Sequence, residues 1–117
     1  MKSKKETQEE PEIARLSAID EDLLTALLGR ELYGLEVLEV LNPGRPIKLR
    51  FGSLYPALNR LEKKGFVTWR WGDEMDESGG ARRKYYKVTG LGASALSAVQ
   101  SYRMALAQRS LGYTVLG

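Results

Sequence analysis

Between positions 45 and 87 the chain carries 11 lysines and arginines against 5 acids, a local excess of +6 in a protein whose net charge is +3. The remainder is therefore mildly acidic, at −3. Cations gathered in one part of a chain are the electrostatic pattern of a surface that meets the phosphates of a nucleic acid. A well-solvated surface gives the same pattern, so residue types and spacing must decide between the two. Two clusters carry the chemistry. The first is Lys48 and Arg50 with the run Gly52-Ser53-Leu54-Tyr55-Pro56-Ala57-Leu58-Asn59-Arg60-Leu61-Glu62-Lys63-Lys64, and the second is Arg82-Arg83-Lys84. If Leu54, Leu58 and Leu61 face a core, then Ser53, Tyr55, Asn59, Arg60 and Lys63 lie on other sides of one helix. Hydroxyls of Ser53 and Tyr55 and the free N–H groups at that helix's start can hold phosphate. Asn59 can read adenine, and Arg60 can read guanine or clamp a phosphate. For Lys64, solvation near the helix end is the simpler reading.

Other chemistries drop out. The chain has no cysteine and no histidine, which removes disulfides, Cys/His zinc sites, and His-based or Cys-nucleophile catalysis. There is no phosphate-binding Gly-Lys-Ser/Thr loop, and Gly90-Leu91-Gly92 is too little to make a nucleotide site. Asp73, Glu74, Asp76 and Glu77 show no metal-ligand spacing and read as a solvated loop. No cofactor and no metal site is expected, and an enzyme is not.

The elements that must position the two clusters follow from periodicity. Ser17 and Asp20 make an S-x-x-D start for a helix over 18–30, with Leu23, Leu24, Leu27 and Leu28 as its apolar stripe. A second helix fits Gly34 to Leu41, with Leu35, Val37, Leu38 and Leu41 as its buried side, stopped by Asn42-Pro43-Gly44. The stretch 46–49 reads as a short extended piece. A third helix runs over 53–64, capped by Ser53, with Pro56 tolerated in the first turn and Gly65 as its stop. Phe66 to Trp71 and Arg83 to Val88 read as strands of a hairpin joined by a long charged tip. Trp69 and Trp71 suit sheet packing, while Tyr85 and Tyr86 divide between core and surface. Thr89 caps a last helix over 91–109, with Leu91, Ala95, Val99, Tyr102 and Leu106 on one face; the residues from Gly112 onward read as irregular.

This order predicts an α+β fold, mainly α: a winged helix-turn-helix with an added C-terminal helix. Residues 1–12 read as a mobile charged tail, 13–89 as the winged-helix domain, and 90–117 as the last helix with a short tail. With 117 residues, 43% of them hydrophobic, one domain is expected. No apolar run is long enough to cross a bilayer, and the polar stretch Thr7 to Glu12 replaces the apolar part of a signal peptide, so the cytoplasm is the expected compartment.

Several segments resemble the PadR-like winged-helix regulators: Leu32-Tyr-Gly-Leu-Glu-Val37, Gly52 through Val67, Trp71, and Arg82-Arg-Lys-Tyr-Tyr-Lys-Val-Thr89 followed by Gly92. The G-S-L-Y-P run at this distance from R-R-K-Y-Y-K-V-T is far more specific than either piece. Within that family the chain looks like a short member with one C-terminal helix, and a branch that modifies circadian period stays open. The resemblance implies a dimeric repressor of transcription. Its third helix would enter the major groove of double-stranded DNA and its wing would touch the backbone or minor groove. The implied DNA contacts are Lys48, Arg50, Ser53, Tyr55, Asn59, Arg60, Lys63, Arg82, Arg83 and Lys84. Arg50 stands where relatives carry a small polar residue. The implied homodimer would form through the last helix, with Leu96, Val99, Tyr102, Arg103 and Leu106 as candidate contacts. Relatives that sense drugs or phenolic compounds use aromatic residues near such an interface. Here the last helix offers Tyr102 and no tryptophan, and a small-molecule effector stays open. The competing reading is a winged helix that binds a protein through the same surfaces.

Overall fold

Ser17 starts the first helix as the S-x-x-D spacing predicts. Its hydroxyl accepts from the Asp20 backbone N–H at 3.2 Å, and the Asp20 carboxylate accepts from the Ser17 N–H at 3.1 Å. The computed structural model describes residues 16–73 and 82–116, with side chains to residue 112. The N-terminal tail over 1–12, the wing residues Glu74, Asp76, Glu77, Gly79 and Gly80, and Gly117 lie outside the described residues.

Helix α1, Ala18–Leu27, buries Leu23, Leu24 and Leu27 completely. It stops three residues short of the predicted end because Gly29 adopts φ +79°, a left-handed conformation that ends a helix and costs glycine no steric penalty. Leu28, expected on the apolar stripe, is exposed beyond that end. The turn leads into strand β1, Leu32–Tyr33, which pairs with the later strand β3. The short strand thus precedes the second helix and does not lie at 46–49. In that later stretch the backbone of Leu49 already has a partner. The Asn42 side-chain amide donates to the Leu49 carbonyl at 3.1 Å, and the Leu49 N–H donates to Asn42 Oδ1 at 2.8 Å. A side chain satisfies the groups that a strand would otherwise have supplied.

Helix α2, Gly34–Leu41, buries Val37 and Leu38 and leaves Leu35 exposed. Helix α3 is Phe51–Lys63, with Leu54, Ala57, Leu58 and Leu61 buried. It begins two residues earlier than Ser53. Arg50 is the extended N-cap residue, and its carbonyl accepts from Leu54 at 2.9 Å. Pro56 consequently sits in the second turn and leaves the Gly52 carbonyl without its helical donor. Both residues are exposed, so water can take that place. Gly65, at φ +81°, ends the helix as expected.

Strands β2, Val67–Trp71, and β3, Lys84–Val88, pair antiparallel with Trp69 opposite Tyr86 and Trp71 opposite Lys84. The sheet order is β1-β3-β2. Alternation puts Trp69, Trp71, Lys84 and the buried Tyr86 on one face. Helix α4, Gly90–Leu116, continues helically through Gly112, where an irregular end was expected. Thr89 caps it by accepting from the Gly92 N–H at 3.0 Å, and its hydroxyl donates to the Gly65 carbonyl at 2.6 Å. A Cβ at Gly92 would overlap the Phe66 carbonyl, so this crossing of helix and strand needs a glycine. The core gathers leucines of α1 and α3, Val37, Phe66, Val67, Tyr86, Leu96 and Val99. The architecture is a mainly helical α+β winged helix followed by one long helix.

Candidate nucleic-acid interface

Helix α3 has two sides with different duties. Its leucines and Ala57 turn inward, and the remaining residues are exposed. Phe51, Tyr55, Asn59 and Lys63 are spaced four apart, which stacks them along one ridge of the helix. Phe51 and Tyr55 stack at 5.7 Å between ring centres and 15° between planes. Tyr55 leans over Gly34, where any Cβ would overlap its phenol oxygen. The glycine that starts α2 therefore leaves the room that the Tyr55 ring occupies.

Across from this ridge stands the root of the wing. Tyr33, Gly34, Tyr55, Asn59, Trp71, Arg82, Arg83, Lys84 and Tyr86 line an open groove of about 520 Å³. Tyr86 forms its floor, and burial pushes the phenol above the usual tyrosine range, with Tyr55 and Glu62 adding to the effect. Three cations of the opposite wall rest on aromatic faces. Lys84 Nζ lies 4.1 Å from the Trp69 ring centre and 5.7 Å from that of Trp71. The Arg83 guanidinium lies 4.3 Å over Tyr33, and that of Arg82 lies 5.9 Å over Trp71. A ring face holds a cation in place by its quadrupole, so these contacts orient the three side chains along the groove. Trp69 is further held by its indole N–H, which donates to Glu62 at 3.0 Å. The two tryptophans meet edge to face at 5.2 Å. They pack the sheet, as expected, and also support the cations.

The predicted DNA contacts do not all converge. Tyr55 and Asn59 on α3, with Arg82, Arg83 and Lys84 on the wing, line the same groove, while Ser53 and Lys63 are exposed on α3 outside that lining. Arg50 is exposed at the N-cap of α3. Lys48 is spent locally, its ammonium donating to the carbonyls of Asn42 at 2.8 Å and Arg45 at 3.2 Å. Arg60 departs most from expectation. Its Nη2 donates at 2.7 Å to Oδ1 of Asp20, whose side chain is 1% exposed, so the guanidinium points toward α1. Periodicity places Arg60 off the apolar stripe, but a long side chain can reach back around the helix to a buried charge. Phe51 and Tyr33 were not singled out as site residues by the sequence, and Asp20 was read only as part of the start of α1. Phe51 carried a readable signal, four residues before Tyr55.

Another cation near the sheet is also committed. Arg70 makes a forked pair with Glu31, its Nη2 2.9 Å and Nε 3.2 Å from Oε1. That hydrogen bond and charge hold Glu31 below the ordinary glutamate range and raise Arg70. Both side chains are largely in solvent, so the pair is a modest surface device.

The candidate dimer contacts divide. Leu96 and Val99 are each 2% exposed and belong to the chain's own core, so they offer nothing to a second copy. The phase of the helix explains the shift: Gly92, not Leu91, is the residue that packs, and Leu91 is exposed. Arg103 pairs with Glu21 of α1 at 2.6 Å. Tyr102, Leu106, Met104 and Leu111 are exposed apolar side chains on the outer part of α4. Among the described residues no helix is long and apolar enough to cross a membrane, and no three acids gather as a metal site.

Comparison with known proteins gives a consistent result. The family described as the transcriptional regulator PadR-like family matches residues 23–98, well over half of the chain. An uncharacterised protein of Lysinibacillus sphaericus is 32% identical over 81 residues, which cover 68% of this chain and 72% of that one. The structure is similar to a PadR-like transcription factor of Bacteroides fragilis, with a TM-score of 0.73 and 25% identity, over 86% of this chain and 93% of the other. It is also similar to a PadR family transcription regulator of Clostridium difficile, with a TM-score of 0.65 and 28% identity, over 86% of this chain and all of the other.

Proposed function

The chain belongs to the PadR-like family of transcriptional regulators, and we propose that it is a sequence-specific repressor acting as a homodimer on an inverted-repeat site in double-stranded DNA. The observation that carries this reading is the groove with α3 on one side and the wing on the other. One wall offers Tyr55 and Asn59, which can meet base edges and phosphate. The other offers the basic side chains of Arg82, Arg83 and Lys84, held on aromatic faces. Lys63 continues the row of Tyr55 and Asn59, Ser53 is exposed in the first turn of the same helix, and Arg50 adds a cation at its start. In this reading α3 lies in the major groove with Asn59 as the base reader, and the wing cations neutralise phosphates. The outer part of α4, with Tyr102, Met104, Leu106 and Leu111, supplies the contact between copies. Two α3 helices then lie about one helical turn of DNA apart, roughly 34 Å. Repression follows from occupancy: a bound dimer on a promoter excludes other proteins from it.

The test is a titration of the purified protein against genomic DNA fragments, including its own upstream region, at several salt concentrations. The expected result is tight binding to particular fragments, weakening steeply with salt while the preference persists. Equal, weak binding to every fragment would overturn sequence-specific recognition. A promoter–reporter assay on the preferred fragment then reads the direction of regulation; a rise in transcription with added protein would overturn repression.

A further inference from the structure

Resting on the DNA-binding reading of α3, we infer that Arg60 is a positioning residue: it acts through buried Asp20 to set how α3 presents its reading ridge, and it does not itself contact DNA. Asp20 is almost wholly buried, and a buried carboxylate persists only when its oxygens are paired. One oxygen, Oδ2, accepts from the Ser17 N–H at the start of α1. The other, Oδ1, accepts from Arg60 Nη2 at 2.7 Å. The Arg60 side chain is 45% exposed and bonds Asp20 through Nη2, but swinging it away to a phosphate or a base would strand that second oxygen in the core. The same turn of α1 grips two further elements. Glu21 pairs with Arg103 of α4 at 2.6 Å, and Asp22 pairs with Arg45 of the α2–α3 loop at 2.8 Å. Three successive acids thus tie one turn of α1 to α3, to its preceding loop, and to α4. Among these links only Asp20–Arg60 has a buried member, which makes it the firm one. Arg60 follows Asn59 directly, so a roll of α3 about its axis moves the reading ridge with the arginine. Packing of the fully buried Leu54, Leu58 and Leu61 keeps α3 in place. The charge-assisted hydrogen bond adds a directional tie on the side of the helix next to the reading ridge.

The experiment uses the full chain and the variants Asp20→Asn, Arg60→Gln, Arg60→Lys and the Asp20→Asn/Arg60→Gln double variant. Its first arm contains no DNA. Amide chemical shifts along α3, including the exposed Ser53, Tyr55 and Asn59, are compared between the wild type and Asp20→Asn, and urea unfolding closes the double-mutant cycle. Shifts along the exposed ridge and a double variant no less stable than the worse single variant are expected. Additive effects, or shifts confined to α1, overturn the inference whether or not the protein reads sequence.

The second arm measures affinity, corrected for folded fraction, for a preferred fragment and for unrelated duplex at several salt concentrations. Positioning predicts that Asp20→Asn, which leaves Arg60 in place, lowers the preference about tenfold, on the order of one mismatched base pair. Non-specific affinity and the salt slope stay as in the wild type, and Arg60→Lys, which keeps one bond to Asp20, restores much of the preference. A direct phosphate contact would instead reduce the salt slope by about 0.9 in Arg60→Gln and leave Asp20→Asn unaffected, which overturns the inference. Arg60→Gln relaxing the preference at a single base pair, with Asp20→Asn silent, overturns it equally. A wild type without any preference defeats the DNA-reading assignment, and the first arm still decides whether Asp20 and Arg60 set the lie of α3.

Discussion

The inner and outer parts of α4 contain similar residues and use them to opposite ends. In the inner part Gly92 touches the Phe66 backbone, and Leu96 and Val99 disappear into the domain core. In the outer part Tyr102, Met104, Leu106 and Leu111 stand in solvent although they are as apolar as the residues before them. Arg103, paired with Glu21, marks the boundary. From there on, the described residues offer these side chains no core. A helix with scattered apolar side chains and no packing partner gains little from tertiary contact, and long isolated helices are marginal in water. The difference teaches where one copy ends as a folding unit and where a second would begin.

Substitutions can break that contrast. The largest effect is expected in the inner part. Leu96→Ala should cost about 2–5 kcal/mol of stability through lost contacts and a cavity, and Gly92→Ala should also destabilise by forcing a Cβ against the Phe66 carbonyl. Chemical denaturation measures both, and a loss below about 1 kcal/mol for Leu96→Ala would mean that this part of α4 is not core. Next comes the outer part. Met104→Glu/Leu106→Glu should leave circular dichroism unchanged and weaken self-association at least about tenfold, or roughly 1.4 kcal/mol. Sedimentation velocity reads it, and an undisturbed dimer would remove the outer part of α4 from the interface. Arg83→Ala sharpens the contrast from outside, because it touches neither part of the helix. Its DNA affinity should fall several-fold, with a salt slope smaller by about 0.9 and self-association intact. An unchanged salt slope would take Arg83 off the phosphate-contacting face. The smallest effect belongs to Glu21→Gln at the boundary. This exposed pair should contribute no more than about 1 kcal/mol and should fade with added salt. A larger, salt-independent loss in thermal denaturation would show that the two parts of α4 are coupled through Arg103.

The succession of helices and hairpin was legible because it rests on apolar spacing and on turn residues, both written locally. Ser17 and Asp20 announced the start of α1, and Thr89 announced that of α4. The errors have two physical causes, a local cap or turn that lies elsewhere than expected and a contact made far along the chain. The start of α3 moved because the Arg50 carbonyl, not the Ser53 side chain, receives the first helical N–H groups. The short strand moved because Leu32 and Tyr33 find Tyr86 and Tyr85, which no local pattern reveals. The face of α4 was misjudged by one residue. Leu91 is the apolar neighbour, but Gly92 makes the contact because the Phe66 backbone comes too close for any side chain. Of the candidate site, residue types and their helix or wing location were readable, and Tyr55, Asn59, Arg82, Arg83 and Lys84 line one groove. The commitment of Arg60 to Asp20, 40 positions earlier, was not. A charged residue's partner is a matter of three-dimensional reach, and the one-dimensional sequence shows only that it is charged.

The chain has 2 tryptophans, and both lie at the root of the wing, packed edge to face beside Lys84. All tryptophan light from this protein is therefore emitted at one place, within a few ångströms of a cation and on the wall of the groove. The molecule carries its own dye there: a shift in emission wavelength or intensity reports on the wing root without any label, and unfolding elsewhere stays dark until it reaches that corner.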